Sequence, residues 1–277
     1  MPTRAVVDFH VHLARYEPPS PSLNELMGSI LGSTEHFTRF ARMYDDPANF
    51  LQLMRDEGVD YAVILAEYTP LTTGVASHER VREFCAGHKE LIAFCTINPH
   101  DNPDPVRNLH RLHDEGFRGI KLYPTYNHFH VNEARLYPVY AAAQELRMPV
   151  LIHTGTSVFK NARLKYGNPI FVDDVAVDFP DLTLVMAHGG RGAWYDEAMT
   201  VARLHANVSI DLSGLPVRKL SAYFPELERF SHKFVFGTDW PQISPKKNLA
   251  TFQEIGLSDK ALDAILGGNA LRILGMR

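Results

Sequence analysis

Apolar residues in this chain fall in short, nearly continuous runs separated by longer stretches of mixed polarity. Eight runs read as strands: residues 5–9, 60–65, 91–98, 119–123, 150–153, 183–188, 208–212 and 233–237. They are rich in Val, Ile, Leu and Phe with little alternation, as expected of strands covered on both faces. Between them, apolar positions recur at helical spacing over 47–57, 103–115, 133–147, 193–205 and 246–255. Gly58, Gly116, Pro149 and Gly256 follow such segments as breakers. Strand then helix, repeated eight times, predicts an α/β fold, a (β/α)8 TIM barrel forming a single domain over residues 1–277. A doubly wound open sheet is the alternative. It would need fewer strands and usually a Gly-rich first turn, but the turn here reads His-Val-His-Leu-Ala-Arg.

One connection breaks the rhythm. Residues 14–46 separate the first strand from its helix and include Pro18-Pro19-Ser20-Pro21. Connections this long inside compact domains are usually functional or mobile. Lying beside the end of the first strand, this insertion is expected to act as a partial lid; a surface excursion or an oligomer contact are the alternatives.

Composition narrows the partners. Lys+Arg is 28 against 32 Asp+Glu, a formal charge of −4. No basic run marks a nucleic-acid face or an anionic membrane surface, so a small molecule is the expected partner. The start, Met1-Pro2-Thr3-Arg4, lacks the apolar segment of a leader. No window approaches the roughly 18–20 apolar residues of a membrane span. Cys85 and Cys95 are the only cysteines, outside any Cys-x-x-Cys pattern. They read as reduced core thiols of a cytoplasmic protein.

The candidate chemistry lies at the strand ends. His10 and His12 follow the first run, and residues i and i+2 of a strand share a face. Two imidazoles there suit a divalent metal, zinc above all, with nickel, iron and manganese as alternatives. Alone, such a pair is weak in a chain with 14 histidines. Its weight comes from repetition. Lys121 lies in the fourth run, His153 ends the fifth, His188 ends the sixth and Asp239 follows the eighth. A barrel brings the C-terminal ends of its strands to one face. A single histidine after an apolar strand is more often a packed core residue; the whole ordered set is not explained that way.

Those residues sit in Asp8-Phe9-His10-Val11-His12, Gly119-Ile120-Lys121-Leu122-Tyr123-Pro124, Leu151-Ile152-His153-Thr154-Gly155, Met186-Ala187-His188-Gly189-Gly190 and Gly237-Thr238-Asp239-Trp240-Pro241. Together they resemble the amidohydrolase superfamily, most closely its amidohydrolase-2 branch. That branch includes aminocarboxymuconate-semialdehyde decarboxylase and related decarboxylases, hydratases and lactone hydrolases. The likeness runs from Asp8 to Gly267-Gly268-Asn269-Ala270-Leu271-Arg272. It is specific for the superfamily and poorly specific for substrate.

The resemblance implies that His10, His12, His153 and Asp239 bind one metal, with a place for water. A divalent cation lowers the pKa of such a water to about 7. Asp239 would take a proton from it and pass it to the leaving group. His188 is either a ligand of a second metal or an acid/base and oxyanion partner. Lys121 has three alternatives: a carboxylated bridge between two metals, a free ammonium binding an anionic substrate, or a structural ion pair. One ion is expected rather than two.

Arg191 can grip a carboxylate bidentately or form a surface ion pair. Tyr123, Tyr126, Asn127 and His128, then Thr154 and Thr156, can line the pocket, and Trp240 can close one wall. Loop packing explains each equally well. His110 and His113 read as solvated, and His128 with His130 lies in a loop rather than at a strand end. The leading expectation is a hydrolase that activates a metal-bound water to cleave an amide, ester or lactone bond. The alternative is a metal-dependent decarboxylase of an aromatic or unsaturated acid, with an arginine drawn from Arg15, Arg39 or Arg42. A non-catalytic metal-binding scaffold should lack a ligand, and no ligand of the set is missing. A homodimer is compatible with the resemblance, which leaves the oligomeric state open.

Overall fold

The eight apolar runs form eight parallel strands in a computed structural model that describes residues 5–101 and 103–276. Residues 1–4, on which the reading of an absent leader rests in part, lie outside the described residues. In chain order the strands are β1 (Val7–His12), β2 (Tyr61–Leu65), β3 (Glu67–Thr69), β4 (Gly74–Ala76), β5 (Leu91–Thr96), β6 (Gly119–Leu122), β7 (Val150–His153), β8 (Leu184–Ala187), β9 (Val208–Asp211) and β10 (Phe234–Val235). The large sheet runs β1-β2-β5-β6-β7-β8-β9-β10, while β3 and β4 form a separate antiparallel hairpin.

Backbone bonds join the two ends of the large sheet. Phe9 N–H donates to Phe236 O at 2.9 Å, His12 N–H to Trp240 O at 2.9 Å, and Asp239 N–H to His10 O at 3.0 Å. Buried Asp8 reinforces this seam. Its Oδ1 accepts from the Thr238 N–H at 2.9 Å and its Oδ2 from the Thr238 hydroxyl at 2.6 Å.

A bulge in β1 decides where the histidines point. Asp8 pairs with Ala62 and Val11 with Ile64, so β1 gains one residue on β2. Val7 and Phe9 pack with Val63, Leu65, Phe94, Leu151 and Val185 in one apolar cluster. Past the bulge, Val11 joins the other cluster, beneath the helices. An extra residue reverses the alternation, so His10 and His12 take over the inward face that Val7 and Phe9 hold earlier. The strand also runs through both histidines, rather than stopping at residue 9, because Trp240 and β2 continue to pair with it.

Helices at Pro105–Asp114, Tyr137–Glu145, Tyr195–Leu204 and Pro245–Phe252 occupy the segments with helical spacing, together with α3 (Pro47–Asp56), which follows the insertion. Among the described residues, no helix is long and apolar enough to cross a membrane.

The insertion is more ordered than a bare connection. It holds α1 (Pro21–Leu31) and α2 (Thr34–Met43). Ser20 and Ser33 cap these helices by accepting from Leu23 N–H and His36 N–H, both at 3.1 Å. Leu23, Met27, Phe37 and Ala41 form their buried faces. The β3–β4 hairpin anchors the insertion, with Ser20 N–H donating to Thr73 O at 2.9 Å and Glu17 N–H to Val75 O at 2.8 Å.

Replacing Asp8 by Ala strands two buried donors of Thr238. The expected loss is about 2–6 kcal/mol of unfolding free energy, at roughly 1–3 kcal/mol per unsatisfied group. Urea denaturation measures it; a loss within about 0.5 kcal/mol, the range of ordinary surface changes, would show that the seam does not depend on this carboxylate.

Candidate active site

Each histidine of the β1 pair has its Nδ1 against a buried carboxylate. His10 Nδ1 lies 2.6 Å from Asp211 Oδ2, at the end of β9, and 2.8 Å from Ser213 Oγ. His12 Nδ1 lies 3.0 Å from Glu67 Oε2, at the start of β3. A neutral imidazole that donates through Nδ1 keeps its lone pair on Nε2. Both Nε2 atoms face the same point, 3.3 Å apart. Asp239 Oδ1 sits 3.5 Å from that of His10 and 3.3 Å from that of His12.

Three acceptor atoms this close require positive charge among them. A second proton on His12 is one source. Burial works against it, but Asp239 and Glu67 outweigh burial and raise the His12 pKa to about 9. Lys121 Nζ, 3.4 Å from His10 Nε2, is another; a divalent cation is a third, and two imidazoles with a carboxylate are a donor set that such ions take.

His188 and His153 complete the ring of donors. His188 Nδ1 lies 2.8 Å from Ser213 O, so it donates there and leaves Nε2 as an acceptor. Ligand atoms of His10, His188 and Asp239 lie within 4.8 Å of one another. The His153 ring meets that of His188 edge-on at 4.7 Å. Its Nε2 is buried without a hydrogen-bond partner among the described residues, an arrangement folded proteins rarely leave without a ligand or water. His10, His12 and Asp239 of the expected set thus make the tightest three-donor group, at 3.3–3.5 Å, while both His188 and His153 stand beside it. Burial holds His10, His153 and His188 well below the ordinary histidine range, which keeps their lone pairs available. For Asp239, burial is outweighed by His12 and His10, and its carboxyl is held well below the usual range.

His188 and Asp239 both adopt φ +64°. For residues other than glycine, this left-handed region costs of order 1–3 kcal/mol and persists where the surroundings enforce it. Both lie just past their strands, where the backbone turns the side chains into the barrel mouth.

Lys121 rises from β6 beside this group. Its Nζ is 3.4 Å from His10 Nε2 and 5.2 Å from the Tyr123 ring centre. Burial lowers its pKa to about 8, against the pull of Asp211, Asp239 and Glu67. Among the described residues no carboxylate forms an ion pair with it, so its geometry does not supply the structural ion pair.

A cavity of about 320 Å³ opens above these groups. Leu13, Leu23, Met27, Phe37 and Phe159 make its apolar walls; Tyr123, Tyr126, Thr156 and Arg191 also line it. Arg191 Nη1 is 3.9 Å from Asp239 Oδ2, and its Nη2 donates to Thr156 O at 3.1 Å. The Tyr123 hydroxyl donates to Ala66 O at 3.0 Å, and that of Tyr126 accepts from Ser157 at 3.2 Å.

Trp240 is a correction, because it does not wall the cavity. Its side chain packs away from the mouth against Phe40, Tyr44 and Phe50, joining the barrel to the helices of the insertion and α3. Asn127 and Thr154 are also outside the lining, the latter donating to Ala187 O at 2.7 Å. His128 and His130 pack on Tyr166, outside the cavity. None of Arg15, Arg39 and Arg42 lines it; Arg15 pairs with Asp45 and Arg39 with Glu35.

Glu67, Asp211, Ser213 and Tyr16 were not anticipated. The signal for the two acids was the strand-end rule itself. Asp211 stands next to last in the seventh apolar run and Glu67 comes two residues after the second.

The amidohydrolase family model matches residues 7–276. Among solved structures, an uncharacterised TIM-barrel protein of Bordetella bronchiseptica superposes with TM-score 0.81 at 22% identity, covering 98% of each chain. A dihydroxybenzoic acid decarboxylase of Polaromonas sp. JS666, with bound manganese and the inhibitor 2-nitroresorcinol, gives TM-score 0.73 at 16% identity, over 99% of this chain and 98% of that one. A probable 2-pyrone-4,6-dicarboxylic acid hydrolase of Acinetobacter baumannii gives 0.70 at 14% identity, over 98% and 99%. At these identities the likeness is one of fold.

Gly237 lies under the donor group, where a Cβ would stand 2.4 Å from Asp211 Oδ1 and 2.9 Å from His10 Cβ. Gly237→Ala is expected to lower stability by about 1–3 kcal/mol through overpacking. A denaturation midpoint equal to the wild-type value would contradict the close packing described.

Proposed function

The chain belongs to the amidohydrolase family, and we propose that it is a metal-dependent hydrolase acting on an ester, lactone or amide bond of a small anionic molecule. The observation that carries this reading is the meeting of His10 Nε2, His12 Nε2 and Asp239 Oδ1, with both Nδ1 atoms engaged by carboxylates. His10, His12 and Asp239 would hold one cation, joined by His153 or His188. An imidazole-rich set with one carboxylate suits zinc. Bound there, the cation supplies Lewis acidity toward water and toward a substrate oxygen.

The chain's own groups do the rest. Asp239 stays ionised at neutral pH and offers its second oxygen, Oδ2, as a proton acceptor close to Arg191. The same oxygen can return the proton to a leaving group. Arg191 is the cavity's arginine, and a planar guanidinium suits a substrate carboxylate. Lys121, held close to His10 and lowered by burial, adds positive charge to the cavity floor. His188 presents an acceptor at Nε2, which favours a ligand or base over an oxyanion donor. The insertion supplies apolar wall residues, and we assign α1 and α2 the role of a partial lid over one catalytic domain.

Decarboxylation is the second reading. The apolar walls suit a flat unsaturated acid, and the manganese-bearing neighbour is a decarboxylase. The arginine expected from the insertion is not among the cavity's residues, which leaves hydrolysis ahead.

Asp239→Ala and His153→Ala should each lower bound metal and reduce turnover by about 10²–10⁴ while leaving a folded barrel by circular dichroism. Elemental analysis and a screen of lactones, esters, amides and unsaturated carboxylic acids measure both. Incorporation of ¹⁸O from labelled water into the product supports hydrolysis; release of labelled CO2 from a carboxyl-labelled substrate supports decarboxylation. A metal-free wild type, together with a fully active Asp239→Ala variant, would overturn both readings.

A further inference from the structure

Glu67 belongs to none of the barrel strands, yet it reaches the candidate cation site through one bond. It begins β3 and is buried. Its Oε2 faces His12 Nδ1 at 3.0 Å and accepts from the Tyr16 hydroxyl at 2.7 Å. The other oxygen, Oε1, accepts from the Thr69 hydroxyl at 2.7 Å and from the Thr73 hydroxyl. Every donor except His12 comes from the hairpin or from the base of the insertion. The carboxylate is thus held on four sides, and its one bond toward the barrel mouth ends on a candidate ligand.

We propose that Glu67 is a positioning residue for the cation site, fixing the orientation and tautomer of His12 so that Nε2 faces Asp239. The inference rests on the cation reading above and deepens it. Without the carboxylate, Nδ1 keeps only the neutral Tyr16 oxygen, 3.1 Å away, as acceptor; the ring is then freer to rotate about χ2 and to carry its proton on Nε2, which removes the lone pair from the cation. Asp211 stands in the same relation to His10. Glu67 differs in its origin: the hairpin that carries it also anchors the insertion, through Ser20 and Glu17. Tyr16 links the two directly, since its hydroxyl lies 3.1 Å from His12 Nδ1. The wall over the cavity and the ligand beneath it therefore share one support.

The test is calorimetric titration of the chelator-stripped full chain with zinc and with manganese, at a temperature where wild type and variant are both folded. Glu67→Gln should weaken zinc binding by about ten- to a hundredfold, as loss of an outer carboxylate on a ligating histidine does. An affinity within about threefold of wild type would overturn the proposal, whatever happens to the melting temperature. A purely structural carboxylate predicts that second pattern. Wild type provides a reading that needs no variant. In nitrogen-15 spectra of the zinc-loaded chain, the His12 Nδ1 proton should be protected from exchange with water. Exchange as fast as that of an exposed imidazole would overturn the role of Glu67. If wild type takes up neither metal, the cation reading itself has failed; if it binds and the variant binds equally well, only the positioning role has.

Discussion

Two carboxylates on the far nitrogens of two histidines set the chemistry of this protein. Asp211 and Glu67 accept hydrogen bonds from Nδ1 of His10 and His12 and turn both Nε2 lone pairs toward Asp239. A buried group of acceptors repels itself unless positive charge joins it. The fold nevertheless builds this group, at the mouth of the barrel, from β1, β9, the hairpin and the turn after β10. Left-handed backbone at His188 and Asp239 shows the same priority of site over local comfort. Neither residue would choose that conformation by itself.

Around this constraint the barrel acts as a frame. The β1 bulge turns the histidines inward, and the seam between β1 and the segment after β10 holds His10 beside Asp239. Asp8 and Thr238 stiffen that seam from behind. Phe9 and its neighbours fill the cylinder below the site. Above it, α1 and α2 bring Leu23, Met27 and Phe37 over the cavity. Polar groups make the floor and apolar groups the walls, so binding and reaction are assigned to different layers.

Much of this was legible from residue pattern, because buried parallel strands leave continuous apolar runs and β/α barrels place chemistry at strand ends. Lys121, His153, His188 and Asp239 could be found by that rule. Asp211 falls under the same rule, but it lies inside its apolar run rather than after it, which masks it as a strand-end group. Glu67 was hidden by the hairpin, whose strands of three residues each are too short to leave a pattern. The bulge was invisible because it depends on β1 pairing with a strand some fifty residues away. Trp240 was misplaced for a related reason: neighbours in sequence can diverge in space, and the turn that sends Asp239 inward sends the indole toward Phe40, Tyr44 and Phe50. Helices α1 and α2 were foreshadowed by Ser20-Pro21 and Ser33, a capping signal easily lost among the prolines.

The central claim is positional: a cation sits where these donors meet. Anomalous diffraction from crystals of the full chain grown with zinc, recorded on both sides of the zinc absorption edge, tests it most directly. The account predicts one strong peak bounded by His10 Nε2, His12 Nε2 and Asp239 Oδ1. A map with no peak there, or with zinc bound only at surface histidines, would contradict it.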